Sequence, residues 1–380
     1  MTSSRAAAVV FHGPRLTMAR RLAGLRKSDL AAQLGMSATA VAAWESGAKR
    51  PAAATVARLA LSLRVDPGFF EVGPYDIAAQ SVTPHFRSPR STSQLARHQA
   101  LAYGQLAVDI AASLEGHVES PPVAVPVVGA DPLGGDRPEQ AAQAVREAWA
   151  MPPGPAGHLI RLLEEHGVLV VFSSPQTARV DAYSFASRPR PVVVLSPLRR
   201  DYYRQRLDVA HELGHLVMHS DTDPGGRLAE QQADRFAAEL MMPAASITTE
   251  LPTLMGPEAW QVLARLKEQW GVPVQALLLR ARTVGRLSEV SYRNAMSTLT
   301  ARGWRNAEPG RVALPEQPSM LPRAVEQAGP GELIGQCPAP ADLFLAITSR
   351  VPLSAEMATD TGQDGAPVAS LLDSGRRNQR

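Results

Sequence analysis

The chain has 380 residues, 45% of them hydrophobic, and 39 basic against 36 acidic residues give a net charge of +3. At roughly 150 residues per domain this length predicts two or three domains with an ordinary core. No apolar run approaches the ~18 residues of a membrane helix, and the single cysteine, Cys337, excludes an internal disulfide framework or a cysteine-based zinc site.

The N-terminus lacks a long apolar signal region, so a cytoplasmic protein without membrane contact is the expectation. Residues 1–70 carry ten Arg or Lys against three acids, a local charge of +7 that leaves −4 for the remainder. Such a basic module predicts a polyanionic partner. Short helices are expected there at 16–25, 29–34, 37–45 and 54–63, with Gly35 and Gly47 as stops. Leu30 and Leu34 form an apolar face, Ser37 can cap the next helix, and Val41 and Trp44 anchor it at i, i+3.

This is helix-turn-helix spacing, with 37–45 as the helix that would enter the major groove of double-stranded operator DNA. Ser37, Thr39 and Ala40 would face the bases, and Lys27, Lys49 and Arg50 would flank them along the phosphates. The helix lacks the Arg, Asn or Gln of bidentate base contacts, so a homodimer reading two half-sites is expected. Glu45 is expected to pair with Arg20 or Arg21.

A helix is expected over 94–114, followed by a connection at 119–138 with five prolines. Helical signals at 139–150 and 157–166 lead into β-rich runs at 168–172, 180–185 and 191–195, which predict a small, mainly antiparallel sheet. Helices over 201–219 and 227–242 follow, with a turn at Pro224 to Gly226. Residues 257–355 read as helical, and the polar last 25 residues as disordered. Residues 266–277 repeat the spacing of 30–41, with Gly271 at the place of Gly35. Trp270 and Leu277 to Leu279 read there as core.

The segment His211-Glu212-Leu213-Gly214-His215 carries the chemistry. On a helix, residues four apart share a face, so His211 and His215 can present imidazoles to one Zn2+ ion. Glu212 beside them can serve as general base. His219 lies about 12 Å along an unbroken helix from His211, too far for three imidazoles to converge on one ion. Glu230, opening the next helix, is the better third ligand. Asp234, one turn later, could accept the free N–H of a ligand histidine.

With these residues in hand, 15–70 resembles the xenobiotic-response-element (XRE, Cro-like) helix-turn-helix family, including Trp44-Glu45-x-Gly47 and Pro51. Residues 139–245 resemble the ImmA/IrrE metallopeptidases through HELGHLVMH at 211–219 and EQQADRFAAELMMP at 230–243. The resemblance implies His211, His215 and Glu230 as zinc ligands and Glu212 as general base. Asp234 stands where that family commonly has Asn. The implied fold is α+β and multidomain: an all-α helix-turn-helix domain at 1–75 and a helical and Pro-rich linker at 76–138 come first. A small zincin-like metallopeptidase domain at 139–250, a helical extension at 251–355 and a disordered tail at 356–380 follow. The implied function is a transcriptional regulator with a zinc endopeptidase that cuts a repressor or partner protein. A silent metal- or ligand-sensing regulator and an antitoxin-like interaction protein are the alternatives.

Overall fold

A four-stranded sheet divides two hydrophobic cores in the computed structural model. The structure describes residues 3–71, 76–80, 84–87, 93–115, 117–129, 135, 137–174, 182–198, 201–219, 226–305, 307–311, 313–329 and 339–350. The expected disordered tail at 356–380 lies outside them, as does most of the expected turn at 224–226. The strands are β1 (His85–Arg87), β2 (Leu169–Phe172), β3 (Ala182–Phe185) and β4 (Val192–Leu195), in the order β1-β3-β4-β2. β3 pairs antiparallel with β1 and β4, while β2 pairs parallel with β4. Strand β1 is additional to the three expected runs. At three residues it is too short to display an alternating pattern.

Side chains alternate across the sheet as the pleat requires. Leu169, Val171, Tyr183, Phe185, Val192 and Val194 enter the first core, and Val170, Phe172, Ala182, Val193 and Leu195 the second. The first core holds α1 (Ser4–Val9), α2 (Gly13–Leu22), α3 (Lys27–Leu34), α4 (Ala38–Glu45) and α5 (Ala53–Leu63). Helix α1, capped by the Ser3 hydroxyl, is a further addition; at six residues it carries little periodic signal.

Segment 76–138, read as a linker, supplies β1 and the 21-residue helix α6 (Gln94–Leu114). The apolar positions of α6 run all round it, and it is buried between the helix-turn-helix and the sheet. Gly104 permits the approach, because a Cβ there would fall 2.8 Å from the Phe185 ring. The Tyr183 hydroxyl donates to the Ala100 carbonyl. On the opposite side the Arg15 guanidinium meets Asp109 at 2.5 Å and donates to the Phe69 and Glu71 carbonyls. Residues 119–129 carry no helix or strand and are tied down by Ala124 to the His166 carbonyl and Val128 to that of Val217.

The second core packs α7 (Arg137–Ala148), α8 (Leu159–Glu165), α9 (Tyr202–Met218), α10 (Arg227–Met241) and the short α11 (Ala244–Ile247). Helices α12 (Pro257–Trp270), α13 (Val274–Thr283) and α14 (Glu289–Ala301) complete it. Helices α15 (Met320–Ala328) and α16 (Ala341–Thr348) instead join the first core. The described residues of 251–355 therefore divide between the two cores, which helical periodicity alone does not reveal. Buried Glu316, 2.5 Å from Arg206, also accepts from the Ile160 N–H and fastens the intervening chain to the body.

The repeat at 266–277 reproduces the turn of the helix-turn-helix: Gly271 ends α12 at φ 64°, as Gly35 ends α3 at φ 62°. Its large apolar side chains Trp270 and Leu277 are core, as is Leu278 beside them; Leu279, expected with them, is 40% exposed.

Removing Asp109 strands a buried guanidinium. Asp109→Ala should lower unfolding stability by about 3–5 kcal/mol in urea titrations, and the apolar pair Arg15→Met/Asp109→Leu should recover most of it. Equal stability of Asp109→Ala and wild type would contradict this packing.

Candidate metal centre

The Asp201 carboxylate caps α9 by accepting from the Arg204 N–H at 3.1 Å. Val209, Leu213, Leu216 and Val217 seat the helix in the second core. Its neighbour α10 crosses it closely at Gly214, where a Cβ would fall 2.9 Å from the Phe236 ring. That approach brings Glu230, in the first turn of α10, over His211 and His215.

The two imidazole Nε2 atoms lie 3.1 Å apart; Glu230 Oε2 lies 3.4 Å from that of His211 and Oε1 3.6 Å from that of His215. A tetrahedral metal with bonds of about 2.0–2.1 Å holds neighbouring ligand atoms about 3.3 Å apart. The three side chains, whose candidate ligand atoms all lie within 4.8 Å of one another, could hold one such ion.

The hydrogen-bond network assigns the tautomers. Asp234 Oδ1 lies 2.9 Å from His211 Nδ1, so that nitrogen carries a proton and the neutral ring offers its lone pair at Nε2. His219 Nε2 donates to Gln232 Oε1 at 3.0 Å, which makes His219 Nδ1 an acceptor. His215 Nδ1, 3.1 Å from it, is then the donor, and the neutral His215 ring likewise offers its lone pair at Nε2. In the neutral rings the two Nε2 atoms, 3.1 Å apart, are the atoms that could bind one cation together. Burial pushes the His219 pKa below its usual value, against the Gln232 hydrogen bond that raises it. The neutral ring this relay requires is thereby favoured.

His85, from β1, stacks on His215 at 4.4 Å with 12° between the rings and donates through Nε2 to the His219 carbonyl at 3.0 Å. Burial holds its pKa low. Glu212, fully buried, accepts a hydrogen bond from the Ser184 hydroxyl of β3 at 2.7 Å. Sequence reasoning singles out none of Ser184, Gln232 and His85. Ser184 left one signal: a hydroxyl among apolar strand residues, which burial obliges to find a partner.

The helix-turn-helix face is built separately. The Ser37 hydroxyl accepts from the Ala40 N–H at 3.1 Å, so it caps α4. Thr39 and Lys49 are exposed, and Ala40 is half-buried. Glu45 pairs with Arg20, through contacts of 2.6 and 3.2 Å, and also meets Lys27 at 3.3 Å. Arg50 donates to the Val9 carbonyl at 2.9 Å. Lys27 and Arg50, expected to face phosphates, are thus engaged within the protein as well.

Gln232→Leu preserves size and removes the acceptor that sets the relay. It should weaken divalent-metal binding about 10–100-fold in competition titrations although Gln232 is no ligand. Unchanged affinity would contradict the relay.

Among the described residues no helix is long and apolar enough to cross a membrane. A comparison with curated proteins finds no match. Residues 163–282, which include His211, Glu212, His215 and Glu230, match the peptidase M78 family model, described as IrrE N-terminal-like domain. Residues 16–70, which include α3 and α4, match a helix-turn-helix family model. The chain thus joins a segment similar to a helix-turn-helix family to a segment similar to the IrrE N-terminal-like domain.

Proposed function

We propose that this chain is a DNA-binding transcriptional regulator whose body is a zinc-dependent endopeptidase acting on a repressor or other partner protein. The observation that carries the reading is the convergence of the two imidazole Nε2 atoms and the Glu230 carboxylate at 3.1–3.6 Å, with Glu212 next to His211 in the chain. A donor set of two imidazoles and one carboxylate suits zinc and leaves a fourth position open. When bound, the metal would polarise the scissile carbonyl and acidify the attacking water.

The chain's own residues supply the rest. Glu212 takes a proton from water and passes it to the leaving amine. Ser184 holds that carboxylate from the sheet side, and Asp234 and the His219–Gln232 pair keep the ligand rings in the metal-binding tautomer. A peptide would approach past Glu230, whose side chain is 32% exposed, whereas those of His211 and His215 are almost fully buried. On DNA, the exposed start of α4 would meet the bases of one half-site, with a second copy on the other.

That burial favours a second reading, a regulator that senses metal without hydrolysis. The two separate in one experiment. The peptidase reading expects about one zinc per chain, lost in His211→Ala, and cleavage of a partner repressor that falls roughly 10²–10⁴-fold in Glu212→Gln while zinc stays bound. If wild type binds zinc and DNA but cuts no candidate repressor, the sensing reading replaces it. DNA affinity should fall steeply with salt, and Lys49→Ala should weaken binding to all sequences alike. Salt-independent binding would contradict the DNA assignment.

A further inference from the structure

A recess of about 460 Å³ lies between the helix-turn-helix and α6, lined by Arg20, Arg21, Arg26 and Lys27 on one side and Gln94 and His98 on the other. Four permanent positive charges meet there. Glu45 is the carboxylate in contact with them, and it is held by Arg20 and Lys27. Asp29 accepts from the Arg26 backbone N–H at 2.8 Å. Among the described residues no carboxylate lies within ion-pair distance of Arg21 or Arg26, and the buried Nε of Arg21 has no acceptor.

The crowding registers in the ionisation of these groups. Burial, and then neighbouring Arg20, hold the Arg21 pKa below its usual value. Partial desolvation, then Arg21 and Arg20, do the same to His98. An anion would relieve both. The wall opposite the arginines is the N-terminus of α6, where the Ser93 hydroxyl takes the Ala96 N–H at 3.2 Å. The first backbone N–H groups of a helix have no intrahelical acceptor, and its dipole adds positive potential there.

The recess has a definite place relative to the helix-turn-helix. Arg26 caps α3 and Lys27 opens it, and α3 is the helix that crosses the DNA backbone in this mode of docking. The recess therefore flanks the phosphate track and not the base edges. Glu45 holds Arg20, one of the residues that line it, and α6 belongs to the core that reaches the sheet.

We propose that this recess binds a phosphate of the DNA backbone, shared between the helix-turn-helix and the start of α6. The inference rests on the DNA-binding reading above and adds to it a contact made outside residues 16–70, on the helix packed between the DNA-binding head and the sheet. Sequence-independent affinity then depends on α6 being seated as it is here.

The test measures binding of the full-length chain to duplex DNA by fluorescence anisotropy over a range of salt. Gln94→Glu places a carboxylate in the recess at a position where the helix dipole favours it, so the fold is kept. Arg21→Gln removes a charge, with its circular-dichroism melt compared to wild type. Thr39→Glu on α4 is the control for the docking mode. Both recess variants should weaken binding to unrelated sequences equally, and Arg21→Gln should lower the slope of log K against log salt by about one.

Wild-type affinity and slope in both recess variants, with Thr39→Glu no longer binding, would overturn this inference and leave the helix-turn-helix reading intact. Wild-type binding by Thr39→Glu as well would overturn that reading itself. A separate titration with inorganic phosphate identifies the other source of the same chemistry. Saturable binding that Gln94→Glu abolishes, without any change in DNA affinity, would reassign the recess to a free phosphate compound and overturn the DNA contact.

Discussion

Two imidazole Nε2 atoms 3.1 Å apart can serve one cation only if both rings keep their protons on Nδ1, and the second core supplies the partners that hold them there. Asp234 and the His219–Gln232 pair keep the protons on the far side of each ring. Gly214 lets Phe236 of α10 settle against α9, and that settling carries Glu230 across to the rings. His85 and Ser184, from adjacent strands paired at His85↔Ser184, reach the same helix from the sheet. Each contact on its own is ordinary. Together they restrict the rings, their tautomers and the carboxylate to positions in which one metal ion completes the set.

The sheet that carries these supports has the DNA-binding head on its other face, and α6 is the element between them. Tyr183 and Ser184 are neighbours on β3. The first donates to α6 and the second to the Glu212 carboxylate. Arg15 of α2 is anchored on Asp109 of α6. The path from the helix-turn-helix to the candidate metal centre is thus a series of buried contacts within packed elements. It provides a physical route by which occupancy at one end could bias the other, provided that the elements along it have two arrangements.

The local parts of this arrangement are legible in the sequence and the long-range parts are not. His211 and His215 declare themselves because a spacing of four brings two side chains to one helix face whatever surrounds them. Glu230 follows from the next helix folding back, and Gly35, Ser37 and Trp44 mark the helix-turn-helix by turn and cap chemistry that acts within a few residues. Ser184, Gln232 and His85 take part only because distant segments are packed together, and no local pattern encodes that. Helix α6 is visible as a helix, yet its periodicity cannot distinguish a connector from an element buried on all sides. The division of the described residues of 251–355 between two cores is hidden for the same reason, as is the three-residue β1.

Charge shows the same boundary. The +7 of the first 70 residues points to a polyanion, but not to which of its cations are free to meet one. Lys27 and Arg20 are tied to Glu45 and Arg50 to a backbone carbonyl, while Arg21 and Arg26 border a recess completed by a segment far along the chain.

X-ray absorption at the zinc edge of the metal-loaded, full-length protein tests the central claim most directly. The expected spectrum has a shell of nitrogen and oxygen at about 2.0–2.1 Å, with the outer-shell scattering of two imidazoles and no sulfur. A shell without imidazole scattering, or one unchanged by His211→Ala, would contradict the account.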